Sequence, residues 1–88
     1  MVRYRIEFKK SAYRELKSIP KKDLKSILSK IESLSANPRA DGCKKLSALE
    51  RYRIRQGNYR ILYSIEDDIL TIYIVKIGHR KDVYGSLE

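Results

Sequence analysis

The sequence has little of what disulfide-rich, metal-binding or membrane-spanning proteins require. Its 88 residues include one cysteine, one histidine, two prolines and no tryptophan. The single cysteine, Cys43, cannot form an internal disulfide, which favours a reducing cytoplasmic compartment over a secreted scaffold. The single histidine, His79, leaves too few ligands for a histidine-based metal site, so we expect no metal and no cofactor. No run of 18 apolar residues is present, and we therefore expect no membrane partner.

Acidic residues are also in the minority. The chain carries 20 lysines and arginines against 11 aspartates and glutamates, which gives a formal net charge of +9. This excess predicts a polyanion, an acidic protein, or both as partners. The length supports one modest core, so residues 1–88 are expected to form a single domain, and tandem domains and solenoids are excluded.

The hydrophobic pattern changes period along the first half of the chain. Strict alternation over residues 2–8 predicts a half-buried strand, and this pattern does not resemble a secretory signal. Helical spacing then predicts a short helix, with Ser11 available as a cap near its start. Pro20 interrupts this helix and opens a longer amphipathic one, which Asn37-Pro38 ends.

The second half of the chain favours strands. Residues 38–49 are expected to form a loop, and three strand-like runs follow, at about 50–56, 59–66 and 69–77. The last run is apolar on both faces, which predicts a central strand covered on both sides. The order of elements therefore predicts an α+β fold with an N-terminal strand, two helices and three antiparallel strands, the helices packed on one face of the sheet.

Strand alternation predicts a cluster of arginines on one face of that sheet. Successive side chains point to opposite sides, so one face of the first run carries Arg51, Arg53 and Arg55. If Gly57-Asn58 is a two-residue turn, Arg60 lies opposite the last of these and points to the same side. Because opposed like charges destabilise a sheet, the arrangement favours a bound anion, although arginines on an exposed face can also serve solubility alone.

The next turn and the tyrosines extend this prediction. With Asp67-Asp68 as a second two-residue turn, Val75 would lie opposite Arg60, and the chain would leave the sheet near the arginines. Tyr73 and Tyr84 are candidates for stacking on nucleobases, with packing in or around the core as the other interpretation of Tyr73. The tyrosines expected in the core are Tyr4, Tyr52 and Tyr63.

Three runs in this half resemble the RelE/ParE toxin superfamily, and its RelE branch in particular. They are Tyr52-Arg53-Ile54-Arg55, Gly57-Asn58-Tyr59-Arg60-Ile61-Leu62-Tyr63 and Ile77-Gly78-His79-Arg80-Lys81-Asp82-Val83-Tyr84. The resemblance implies a RelE-like fold and a toxin of a type II toxin–antitoxin module that cuts mRNA in the ribosomal A site. It implies as partners an acidic RelB-like antitoxin, the ribosome with its mRNA, and operator DNA only through the toxin–antitoxin complex.

The resemblance also implies roles for individual residues. Arg53 and Arg55 match basic positions on the second strand, where the best-studied members carry lysines. Arg60 matches the arginine of the third strand, and Arg80 matches the basic residue after the last strand. Tyr84 matches the aromatic residue that stacks on the scissile nucleotide or acts there.

These roles predict an endoribonuclease in which an RNA 2′-hydroxyl attacks the adjacent phosphate. Arg60 and Arg80 are expected to stabilise the charge that develops on the phosphoryl oxygens. The flanking phosphates are expected to contact Arg51, Arg53 and Arg55. His79 and Tyr84 are the candidates for proton transfer. Two alternatives stay open: a ParE-like toxin that inhibits gyrase without nuclease activity, and a basic binding module that acts only with its antitoxin.

Overall fold

A computed structural model of the chain describes residues 3–46 and 51–79. Its elements follow in the order β1 (Arg5–Phe8), α1 (Lys10–Lys17), α2 (Lys21–Ala36), β2 (Lys44–Leu46), β3 (Arg51–Gln56), β4 (Tyr59–Glu66) and β5 (Thr71–His79). Both helices pack on one face of the sheet, here called the helix face, so the predicted α+β fold is confirmed. In these described ranges, neither helix is long and apolar enough to cross a membrane.

The strands form one mixed sheet with the order β1-β5-β4-β3-β2. β1 pairs in parallel with β5, whereas the other neighbours are antiparallel. A parallel pair needs a long crossover connection, and the two helices lie in the chain between β1 and the rest of the sheet. The first and last described strands are thereby brought side by side.

The helix boundaries follow the local sequence signals in part. α2 begins directly after Pro20, whose ring fixes φ near the helical value and whose missing N–H is not needed there. α2 ends at Ala36, before Asn37 and Pro38, as predicted. The prediction that Ser11 caps α1 is wrong: Lys9 occupies the N-cap position without a side-chain hydrogen bond, and Ser11 lies inside the first turn.

The core lies between the helices and the helix face of the sheet. The helices contribute residues at helical spacing, among them Ala12 and Leu34, both 0% exposed. The strands contribute alternate residues, namely Tyr52, Ile54, Ile61, Tyr63, Ile65, Ile72, Ile74 and Ile77. Burying each aliphatic side chain of this kind contributes about 1.5–3 kcal/mol, so these residues supply most of the driving force for folding.

The connection between β4 and β5 differs from the predicted two-residue turn. A 3₁₀ turn at Asp67–Ile69, followed by Leu70 with φ +48°, lengthens it to four residues. β5 consequently begins at Thr71 rather than at residue 69.

A bulge then shifts the register of β5 by one more residue. Tyr63 pairs with Ile74 but Leu62 pairs with Lys76, so Val75 has no partner on β4. The extra residue keeps Ile74 and Ile77 on the helix face although they are three apart in sequence. Arg60 therefore lies opposite Gly78, and the prediction that it lies opposite Val75 is wrong.

Three smaller corrections concern the strands. β1 begins at Arg5, later than the predicted strand over 2–8, of which residue 2 lies outside the described residues. Part of the predicted loop over 38–49 forms β2, which adds an edge strand beside β3. β5 lies inside the sheet but is not covered on both sides, because Tyr73 on the face away from the helices is 39% exposed.

A hydrogen-bond network closes the end of the sheet that carries the 3₁₀ turn. The Tyr4 hydroxyl donates to Asp67 Oδ1 at 2.7 Å, and Arg39 Nη2 donates to Asp67 Oδ2 at 3.0 Å. Arg39 Nε also donates to the Tyr52 hydroxyl at 3.3 Å. The hydrogen bonds from Arg39, and next from Tyr4, lower the pKa of the Asp67 carboxyl. This network joins the residue before β1, the segment after α2, β3 and the β4–β5 connection.

Candidate nucleic-acid interface

The face of the sheet opposite the helices carries the predicted arginines and is called the arginine face, after Arg51, Arg53, Arg55 and Arg60. Gln56 pairs with Tyr59, which confirms the two-residue turn. Gly57 adopts φ +60°, a region that favours glycine. Because this turn sets the register, Arg55 lies directly opposite Arg60.

The register arranges the arginine face in three cross-strand rows. The first row, next to the turn, contains Arg55, Arg60 and Gly78. The second row contains Lys44, Arg53, Leu62 and Lys76. The third row contains Leu46, Arg51, Ser64, Tyr73 and Glu7. Five basic residues thus occupy the first two rows, and one of them, Lys76, is paired with Glu15 of α1. The positive charge of the other four makes this end of the face a candidate site for an anion.

The arginines differ in how firmly the fold holds them. Arg60 is 2% exposed although it lies on the arginine face, whereas Arg55 is exposed and Arg51 and Arg53 are half-buried. Gly78, which has no side chain, lies opposite Arg60 on β5. A guanidinium stays charged and donates two parallel hydrogen bonds to phosphate, so a buried arginine on a rigid strand is oriented before any ligand arrives.

Glu15 of α1 holds the end of β5 next to these arginines. β1 ends at Phe8, opposite Ile74, and no other strand within residues 3–46 and 51–79 continues along that edge of β5. The backbone N–H of Ile77 donates to Glu15 Oε1 at 3.1 Å, and Lys76 Nζ lies 2.7 Å from Glu15 Oε2. The carboxylate therefore replaces a strand partner and fixes the β5 residues that complete the first two rows.

His79 lies on the other side of the sheet from the arginines. It pairs with Tyr59, which packs against the core, and the two rings meet edge to face with centroids 5.9 Å apart. Its side chain lines clefts of about 290 and 320 Å³ on the helix face, whose walls include Glu15 and Asp23. The structure does not bring His79 together with Arg60.

The remaining predicted residues fall into two groups. Arg80 and Tyr84 lie outside the described residues. Tyr52 and Tyr63 are buried in the core as predicted, with 8% and 0% exposure, and Tyr4 is half-buried against it. Tyr73 is exposed on the arginine face, which removes the alternative that it packs in the core.

Sequence reasoning missed three residues that shape this interface. Lys44 was assigned to a loop, yet it lies opposite Arg53. Lys76 had a signal, because it is the only charged residue in the apolar run 69–77. Glu15 gave no signal, since its contacts with β5 join residues about sixty positions apart.

Comparison with known protein families finds similarity over most of the chain. A family model described as "ParE toxin of type II toxin-antitoxin system, parDE" matches residues 6–84. Toxin RelG of Mycobacterium tuberculosis is 31% identical over 83 residues, which cover 92% of this chain and 95% of the relative. The family-model match begins within β1, extends past β5 and includes every row of the arginine face.

Solved structures agree with these relatives. The toxin–antitoxin complex RelBE2 of M. tuberculosis contains a chain with a TM-score of 0.80 and 30% identity, covering 90% of this chain and 100% of that one. The archaeal RelE–RelB complex of Pyrococcus horikoshii OT3 contains one with a TM-score of 0.79 and 29% identity, covering 91% and 97%. Fold, sequence and family model therefore agree that the chain belongs to the RelE/ParE family of type II toxin–antitoxin toxins, as a RelE-like member.

Proposed function

We propose that this toxin is a ribosome-dependent endoribonuclease that cleaves mRNA in the ribosomal A site. The observation that carries the proposal is the first row of the arginine face. Two arginines on neighbouring strands lie directly opposite each other there, and one of them is almost fully buried. Opposed like charges repel each other across a sheet, and a phosphate bound between the two guanidinium groups would offset that repulsion.

The reaction that fits such a site is attack of an RNA 2′-oxygen on the adjacent phosphorus. The new O–P bond forms as the bond to the 5′-oxygen breaks, which leaves a 2′,3′-cyclic phosphate and a free 5′-hydroxyl. One proton leaves the 2′-oxygen and one reaches the 5′-oxygen. Negative charge grows on the non-bridging oxygens, so fixed guanidinium groups bind the transition state more tightly than the ground state.

We assign a role to each residue from its position in the cross-strand rows of the arginine face. Arg60 stabilises the phosphoryl oxygens, and the family resemblance gives Arg80 the same role. Flanking phosphates contact Arg51, Arg53 and Arg55, which the register places on the same face. Tyr84 remains the candidate at the scissile nucleotide, and we assign His79 no contact with the phosphate because it lies beside Tyr59 on the helix face.

Dependence on the ribosome follows from the chemistry of arginine. A guanidinium has a pKa above about 12 and is a poor general base, so a site built on arginines transfers protons weakly. Such a site needs a substrate that is already held with the 2′-oxygen in line for attack. Orientation of this kind can contribute several kcal/mol, and a ribosome with mRNA in its A site supplies it.

The charge of the toxin and its structural relatives support the proposed partners. The RelBE2 and archaeal relatives were solved as complexes with RelB antitoxins. A chain with a net charge of +9 attracts an acidic partner over long distances, so we propose an acidic RelB-like antitoxin. Operator DNA would be contacted only through that complex, in the cytoplasm.

Inhibition of gyrase is the second candidate function, because the matching family model is described as a ParE toxin. It requires no RNA-cutting site and assigns no function to the opposed arginines of the first row. The RelG relative and the RelE–RelB complexes favour the nuclease over this candidate.

Purified components separate the two functions. We expect the toxin to cut mRNA in programmed ribosomes, to cut naked RNA poorly, and to leave gyrase supercoiling unchanged. Arg60→Ala should lower cleavage at least about 100-fold, because one lost contact to a developing oxyanion costs about 3 kcal/mol in the barrier. Inhibition of supercoiling without cleavage would favour the second function, and equal cleavage by the variant would refute the role of Arg60.

A further inference from the structure

Tyr73 has an unusual position for an aromatic residue of an interior strand. β5 lies between β1 and β4, yet the Tyr73 side chain is 39% exposed on the arginine face. Its cross-strand neighbours are Ser64 and Glu7. Within residues 3–46 and 51–79, no aromatic ring or cation contacts its ring, so this aromatic surface is available to a ligand.

Tyr13 provides a useful contrast. It is 50% exposed on α1, but Lys17 Nζ lies 4.8 Å from its ring centroid and the Phe8 ring meets it at 6.2 Å. Its ring therefore has partners within the protein. Exposure alone does not distinguish the two tyrosines, whereas the position of Tyr73 on the arginine face and its bare ring do.

The rows define how far Tyr73 lies from the proposed phosphate site. Arg60 is in the first row and Ser64, the partner of Tyr73, is in the third, four residues further along β4. At about 3.3 Å per residue this separation is roughly 13 Å. The second row lies between them, with Leu62 and Lys76 on β4 and β5 and its other cations, Arg53 and Lys44, on the neighbouring β3 and β2. A basic track that leads to an exposed aromatic ring is the arrangement with which proteins bind single-stranded nucleic acid.

Acidic residues limit the track beyond the third row. Glu7 lies next to Tyr73, and Glu66, Asp67 and Asp68 follow at the same end of the sheet. Carboxylates repel phosphates, so a nucleic-acid strand that follows the cations is not favoured past Tyr73.

We propose that Tyr73 stacks on a nucleobase of the RNA strand whose phosphates lie over the first two rows. This proposal rests on the proposed function, because it assumes that the ligand is RNA. A separation of roughly 13 Å equals about four nucleotides at the 3.4 Å rise of a stacked strand, and fewer when the strand is extended. The stacked base is thus within about four nucleotides of the phosphate at Arg60.

Binding of short RNA tests this subsite apart from cleavage. The probes are fluorescein-labelled oligouridines from dinucleotide to octanucleotide, with 2′-O-methyl groups that prevent attack, measured by anisotropy at low salt. Tyr73→Ala should weaken binding of the octanucleotide about 5- to 100-fold and leave the dinucleotide unchanged. Tyr73→Phe should stay within about twofold of the wild type, since stacking needs the ring and not the hydroxyl. Tyr13→Ala is the matched control and should bind as the wild type does.

Several outcomes would overturn the subsite. These are an unchanged octanucleotide affinity in Tyr73→Ala, an equal loss in Tyr73→Phe or Tyr13→Ala, and no binding of the octanucleotide by the wild type. Weaker binding of the cognate antitoxin with unchanged RNA binding would instead make Tyr73 a protein-docking contact. Cleavage in programmed ribosomes is scored separately. Its absence would refute the proposed function, while the binding series would still decide the role of Tyr73.

Discussion

The two faces of the sheet are built from the same strands but serve opposite purposes. On β4, Ile61 and Tyr63 point into the core and are both 0% exposed, while Arg60 and Ser64 point to the arginine face. One face buries apolar surface, and the other places like charges side by side. Because strand alternation separates them, the helix face can build the core while the arginine face carries charged side chains.

The largest expected effect is on the helix face. Ile61→Ala removes a fully buried side chain and should lower the free energy of unfolding by about 2–5 kcal/mol. Leu28→Ala is the matched control, since Leu28 is 42% exposed on α2, and it should change stability by less than about 0.5 kcal/mol. Urea denaturation of both variants gives the comparison. Equal costs at the two positions would contradict the division between core and surface.

On the arginine face, one substitution should move stability and binding in opposite directions. Arg55→Ala removes a like charge from opposite Arg60 and should raise the free energy of unfolding by about 0.2–1 kcal/mol. It should also weaken RNA binding and reduce the salt dependence of log K by about 0.7, the value for one phosphate contact on a single strand. Urea denaturation and anisotropy titrations at several salt concentrations measure the two effects.

Arg14→Ala is the control for net charge, because Arg14 is exposed on α1. It should change the salt dependence of RNA binding less than Arg55→Ala does. A loss of stability in Arg55→Ala, or an equal effect of both variants on RNA binding, would show that Arg55 does not belong to an anion site.

The smallest effect concerns the network around Asp67, at the end of the sheet away from the arginines. Hydrogen bonds from Arg39 and Tyr4 lower its pKa in the folded state, so its contribution to stability is present above the unfolded pKa, about 3.9. That contribution is lost as the pH falls below this value through the folded pKa. Asp67 is exposed, so the effect should be small and should shrink further in salt.

Thermal unfolding between pH 2 and pH 6 checks this assignment, with Asp67→Asn compared with Asp68→Asn at its exposed neighbour. Asp67→Asn should flatten the fall in melting temperature at acid pH, and Asp68→Asn should retain it. A larger change in Asp68→Asn would place the titrating carboxylate elsewhere.

Much of the fold could be predicted because its signals are local. Period-two alternation identified β3 and β4, and the turn at Gly57 fixed the pairing of Arg55 with Arg60. Pro20 and Asn37 marked the ends of α2. Each of these features depends on a few neighbouring residues, and for that reason it can be read from the sequence.

The errors lie where tertiary packing overrides the local pattern. The residues around Val75 contain no local signal for a bulge. The bulge forms because Ile74 and Ile77 both pack on the helix face, although they are three residues apart. The same shift placed Lys76 opposite Leu62 and Gly78 opposite Arg60. The role of Glu15 could not be predicted for a related reason. Its carboxylate can accept the N–H of Ile77 because β1 ends opposite Ile74 and does not pair with that part of β5.

The central claim is that the arginine face binds and cleaves RNA, whereas the helix face forms the core that stabilises the fold. Primer-extension mapping of mRNA ends after induced expression tests it most directly. The wild-type toxin should produce new 5′ ends within translated codons, and a folded Arg60→Ala variant should produce none. Identical ends from that variant, or growth arrest by the wild type without new ends, would contradict the claim.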